Sequence, residues 1–237
     1  MPAVFVNAAA VLVGSLIGIL FRTKIKDKYV KSVVAALALC TMVIGISSAV
    51  GTNDILAVII CIVIGTVIGE LLRIDDRIER AGDFFKRKLF KNSGGEGSRF
   101  SEGFVSACIL FCVGSMTVMG SLEAGVSGDY SIIFAKSALD FVSSMAFGAA
   151  MGIGVTFSAL FVIVYQGALT LLAGVVGPYL SAQVITEMNA IGGTILIGMA
   201  VNMLELSPVR IKVANMLPGI FLPIIYFPIY NLIAGLF

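Results

Sequence analysis

The strongest constraint on the fold is a succession of apolar runs, each about as long as a bilayer is thick. A helix rises 1.5 Å per residue, so about 20 apolar residues cross a hydrocarbon core roughly 30 Å thick. Runs of this kind occupy residues 3–21, 32–50, 55–72, 103–121, 131–150, 153–175, 189–204 and 213–236. A segment crossing lipid has to satisfy its own backbone hydrogen bonds, so each run reads as a helix. Composition agrees. Of 237 residues, 59% are hydrophobic and 13% charged, against roughly 45–50% and about 25% in soluble domains. A water-soluble fold of this length lacks the polar side chains to cover itself. The sequence therefore predicts an all-α, polytopic transmembrane helix bundle of about eight spans, one integral membrane domain over residues 1–237.

Basic residues fall in alternate links. Arg22, Lys24, Lys26, Lys28 and Lys31 lie in 22–31; Arg73, Arg77, Arg80, Lys86, Arg87, Lys88, Lys91 and Arg99 lie in 73–102; Arg210 and Lys212 lie in 205–212. The links 51–54, 122–130 and 176–188 carry none. Cytoplasmic links are enriched in Lys and Arg. Eight spans thus place these residues in the cytoplasm, the chain in the cell membrane and both termini outside. The first run has no basic stretch ahead of it and reads as a retained span, not a cleaved signal. In 73–92, Ile74, Ile78, Ala81, Phe85 and Leu89 recur at helical spacing among charged residues. This pattern predicts an amphipathic helix on the cytoplasmic membrane surface, the other reading being a solvated charged loop.

Several chemistries are excluded or disfavoured. The chain has no His, which removes histidine metal sites, general bases and proton relays. Cys40, Cys61, Cys108 and Cys112 all sit in apolar runs and read as small buried hydrophobes. There is no Walker A run, dinucleotide fingerprint or nucleophile constellation. No enzyme activity, cofactor or metal is expected. The net charge of +2, with its basic residues confined to the membrane flanks, disfavours a nucleic-acid partner. The expected partners are the lipid bilayer and a small solute or ion.

Repetition is visible. Gly14 and Gly18 precede Arg22, Gly65 and Gly69 precede Arg73, and Gly148 and Gly152 close the fifth run. Small residues four apart let helix backbones approach closely in lipid. These pairs can serve packing within one chain or between copies in a homo-oligomer. Val43-Ile44-Gly45, Ala49 and Asp54 match Val118-Met119-Gly120, Ala124 and Asp129, each at an offset of 75. This offset suggests a duplicated helical hairpin.

Lys136 and Asp140 are the sharpest candidates. They lie four apart on one helical face, about 14 Å into the fifth run for Asp140. Charges at that depth are paired or face a cavity, and commonly mark a substrate or ion path; a permanent ion pair that fixes packing is the plain alternative. Glu123 and Asp129 sit in a Gly-rich, acidic outer turn that can collect cations, though Asp129 can equally cap the next helix. The run 189–204 is short and Gly-interrupted, and 213–236 contains Pro218, Pro223 and Pro228. Broken helices of this kind form transporter sites, so Asn202 and Pro218 join the candidates. Asn7, Glu70, Gln166 and Glu205 supply further polar groups.

The stretch Gly114 to Gly125, with Gly128-Asp129, Lys136-Ser-Ala-Leu-Asp140, Gly152-Ile-Gly154-Val and Asn215-Met-Leu-Pro218, resembles the domain-of-unknown-function 554 family of bacterial membrane proteins. The resemblance implies a prokaryotic cytoplasmic-membrane protein of several spans and brings no substrate. The residues themselves point to a gradient-driven transporter of an ion or small solute. The alternative is a membrane interaction or assembly protein without transport.

Overall fold

The computed structural model describes residues 1–22, 27–78, 80, 100–112 and 115–234. Its helices are α1 (Pro2–Arg22), α2 (Asp27–Ala49), α3 (Ile55–Leu72), α4 (Phe100–Cys112), α5 (Ser115–Val126), α6 (Ser131–Met151), α7 (Gly154–Val176) and α8 (Ala182–Met203). A 3-10 segment, Val213–Phe221, and α9 (Pro223–Ala234) complete the order. Among the described residues there is no strand.

Six helices are each long and apolar enough to cross a membrane. Two bent pairs bring the count to eight if each is one span: α4 with α5, bent by 58°, and the 3-10 segment with α9, bent by 44°. Large apolar side chains face outward along the helices, among them Val43, Leu71, Leu171 and Leu232, each at least 66% exposed. Such a surface is stable against lipid and unstable against water.

Helices pair through their small residues. α1 lies along α6, where Gly14 and Gly18 face the carbonyls of Phe141 and Met145, and Gly148 faces Ser15. α2 lies on α8 through Gly45 and Gly193, each of which would place an added Cβ within 2.8 Å of the other's carbonyl oxygen. α3 lies on the 3-10 segment, Gly65 against Gly219 and Gly69 against Asn215. α7 receives α4 near Gly154 and α5 near Gly125. Backbones this close gain dispersion contacts that larger residues would forbid.

Three expectations need correction. The seventh span is neither short nor interrupted: α8 is one helix of 22 residues. It starts at Ala182 because the Ser181 side chain accepts from Val184 N, capping it, and Gly192 and Gly193 lie inside it. The broken spans are the fourth and the eighth. The fourth also runs on to Val126, so Gly120 and Glu123 are helical and not part of a turn. Buried Gly152 ends α6 with a φ of +83°, a conformation that other residues rarely adopt.

The break in the eighth span has its cause in Pro218 and Pro223, which remove backbone donors. Of the surface helix predicted over 73–92, residues 74–78 are helical and 81–99 lie outside the described residues. Ile78 packs against the main core of the bundle. Cys61, Cys108 and Cys112 are buried as expected, whereas Cys40 is exposed.

Candidate functional site

Four helices bring polar side chains to one buried place. α6 supplies Lys136 and Asp140, only 5% and 7% exposed, as a hydrogen-bonded ion pair one turn apart. α4 ends beside it, with the Phe111 ring 6.0 Å from Lys136 Nζ. α1 supplies Asn7, which faces the Asp140 carboxylate and donates from Nδ2 to Gln166 Oε1 of α7 at 2.9 Å. Asn7 and Gln166 have no exposed surface at all.

Ser121 and Thr170 complete the group. Gly125 of α5 sits on the Thr170 carbonyl, and α5 and α7 end together where Val126 reaches Gly177. The two helices therefore run parallel, and Ser121, one turn before Gly125, is level with Gln166, one turn before Thr170. Both hydroxyl residues are buried. Asn7 Oδ1, Gln166 Nε2, Ser121 Oγ and Thr170 Oγ1 have no hydrogen-bond partner among the described residues. A buried polar atom left unpaired costs about 1–3 kcal/mol. Natural structures rarely tolerate several together unless water or a ligand completes them.

The other predicted residues lie elsewhere. Half-buried Glu123 lines a separate crevice of about 400 Å³ with Leu122, Val126, Ala173 and Pro178. Asp129 accepts from Ser131 N at 2.8 Å and Ser131 Oγ at 2.6 Å, and these bonds hold its carboxyl below the usual range. It is a turn residue, and the helix N-cap position belongs to Tyr130, which has no side-chain cap. Asn202 clamps the backbone of Ile211, donating to its carbonyl at 2.8 Å and accepting from its N–H at 2.9 Å. Pro218 lies against Gly65. Its neighbours Leu217, Ile220 and Phe221 reach toward α4 only through an apolar cavity of about 40 Å³ lined also by Cys112 and Tyr165. The break level with Asp140 is the one between α4 and α5.

Crevices enter from both ends of the bundle. At the end bearing the basic links, a cavity of about 370 Å³ runs along α4 past Ser101, Glu102, Val105 and Ser106. Beside it lies another of about 260 Å³, bordered by Lys31, and the two share Glu102 and Glu205. At the opposite end, the Glu123 crevice runs along α5. The two halves of one broken helix thus each line a crevice, one at either end of the bundle.

A family model described as a protein of unknown function, DUF554, matches residues 2–228. The chain belongs to the DUF554 family. Curated relatives of this DUF554 chain include the uncharacterised membrane protein YdfK of Bacillus subtilis, 25% identical over 221 residues, covering 92% of the chain and 91% of the relative. The uncharacterised protein YqgA of Escherichia coli is 28% identical over 222 residues, covering 92% of each. No solved structure matches.

Sequence reasoning missed three placements in the DUF554 chain. Ser121 and Thr170 carry no signal, because hydroxyls in spans commonly bond their own helix. Glu187, in the expected link 176–188, is fully buried in α8. It accepts from the Thr52 hydroxyl, from Asn53 N at 2.9 Å and from Asp54 N at 3.2 Å. At the basic end, buried Asp75 donates its N–H to Asn215 Oδ1 at 2.7 Å, and Asn215 donates to Glu70. Lys212 meets Asp76 at 3.1 Å, which with Glu70 raises its pKa.

Proposed function

We propose that this DUF554 chain is a membrane transporter of a small solute, its site formed by Lys136, Asp140, Asn7, Gln166, Ser121 and Thr170. It works without enzyme chemistry, driven by an ion gradient, in the cell membrane with its basic links cytoplasmic. The observation that carries the reading is the set of unpaired buried polar atoms around a charged pair, at the level of a break in a spanning helix. Polar atoms in a membrane interior mark solute paths, and helix breaks at mid-depth are where transporters bind.

The assembly alternative drew on free glycine faces and on the surface helix 73–92, most of which lies outside the described residues. Gly14, Gly18, Gly65, Gly69 and Gly148 are all occupied by contacts inside the chain, which removes the glycine support. The pair is closed off here, as an occluded site between two approaches would be. Reconstitution in liposomes tests the reading: a labelled metabolite mixture should accumulate with the wild-type chain and not with Asp140→Asn. Accumulation that is equal in both removes Asp140 from the path.

A further inference from the structure

The composition of the cluster narrows what it can hold. Lys136 and Asp140 cancel, so the cluster carries no net charge. A lone cation or anion entering would be an uncompensated charge in a low-dielectric interior, which is strongly unfavourable. A solute with no polar groups would leave the four unpaired atoms unpaired. Those atoms are balanced in sense: Asn7 Oδ1 accepts, Gln166 Nε2 donates, and the Ser121 and Thr170 hydroxyls do either. One free amide acceptor and one free amide donor thus share a cluster with the carboxylate of Asp140 and the ammonium of Lys136.

We infer that this cluster binds a small zwitterion, a solute bearing one ammonium and one carboxylate. The inference rests on the transport reading above. The ammonium of the solute takes the place of Lys136 against Asp140 and meets an amide oxygen. Its carboxylate meets Lys136 and an amide N–H. The internal ion pair thereby opens into two intermolecular ones with no change in net charge, and this exchange keeps the desolvation cost low. The Ser121 and Thr170 hydroxyls complete either group. The empty site closes on its own salt bridge, which keeps it shut to bare ions.

The test uses the purified full chain in liposomes with labelled glycine, alanine, glycerol, rubidium and chloride. Glycine or alanine should enter at least tenfold faster than into protein-free vesicles, with no flux of the other three. Gln166→Leu, which removes the unpaired Nε2 together with the Oε1 that accepts from Asn7, should elute from size exclusion like the wild type and lower that uptake at least tenfold. Ser121→Ala, a smaller change, should lower it several-fold. Flux of rubidium, chloride or glycerol without glycine or alanine overturns the zwitterion and leaves transport standing. No flux of any probe through a monodisperse wild-type chain overturns both. Zwitterion uptake unchanged in both variants overturns the assignment to this cluster.

Discussion

α3 and α6 are built alike and used differently. Each follows a turn whose aspartate accepts from the first residues of the helix: Asp54 from Leu56 N and Ala57 N, Asp129 from Ser131. The two aspartates stand 75 positions apart, and in that register Cys61, Gly65 and Gly69 correspond to Lys136, Asp140 and Ser144. On α3 this face is closed. Gly65 and Gly69 rest directly on the backbone of the 3-10 segment, with no room for a side chain. On α6 the same face carries charge, and α1 supplies the glycines, Gly14 and Gly18, only in the half nearer its basic link. Nearer the other end, Asn7 stands where a backbone contact would otherwise be. One duplicated face thus seals a helix pair by glycine, and the other uses the freed space for polar groups.

The comparison breaks most readily at Gly69. A Cβ there would overlap the Asn215 carbonyl, a backbone atom that cannot swing aside. Gly69→Val should cost more than the about 1–3 kcal/mol of ordinary overpacking and abolish the monodisperse peak in detergent. A wild-type elution profile would show that the α3 face is looser than its geometry.

The α6 face predicts a non-additive pair. Asp140→Leu strands the Lys136 charge and should destabilise by about 3–5 kcal/mol, whereas Lys136→Met with Asp140→Leu should recover wild-type stability or exceed it. Thermal unfolding in detergent distinguishes these outcomes. A double variant as unstable as the single would make the pair a structural clamp and return α6 to the role of α3.

The turns before the two helices differ as well. The turn at 52–54 is gripped by Glu187 from α8, whereas the contacts made by Asp129 are local. Glu187→Gln should cost about 1–3 kcal/mol, because a buried acceptor of several bonds loses its charge; chemical denaturation reads the shift. Asp129→Ala should have the smallest effect. The folded-state pKa of Asp129 is lowered, so its contribution is present above the ordinary aspartate range and fades as pH falls through the lowered value. The stability difference between wild type and Asp129→Ala should therefore be steady at neutral pH and shrink below about pH 4.

Much of this was legible in one dimension. Runs of about 20 apolar residues and alternate basic links define spans and ends, because hydrophobicity and charge act on each segment separately. Lys136 and Asp140 stood out for the same reason, and so did the prolines that break the eighth span. The repeated offset of 75 marked the two related turns. Asn7 and Gln166 were visible as polar residues in apolar runs, but not as partners.

Sequence by itself determined that the chain lives in lipid, how many times it can cross, and that a charged pair lies at mid-depth. Only the tertiary structure decided which helices meet, that the second break falls between α4 and α5 and not in α8, that Asn202 holds the backbone of Ile211 and that Pro218 packs on Gly65. It also decided that Glu187 belongs to a turn more than a hundred residues away in sequence. The physical reason is that burial in lipid is a property of a segment, whereas hydrogen-bond satisfaction is a property of neighbours. Side chains 159 residues apart, such as Asn7 and Gln166, become neighbours only when glycine faces bring their backbones together.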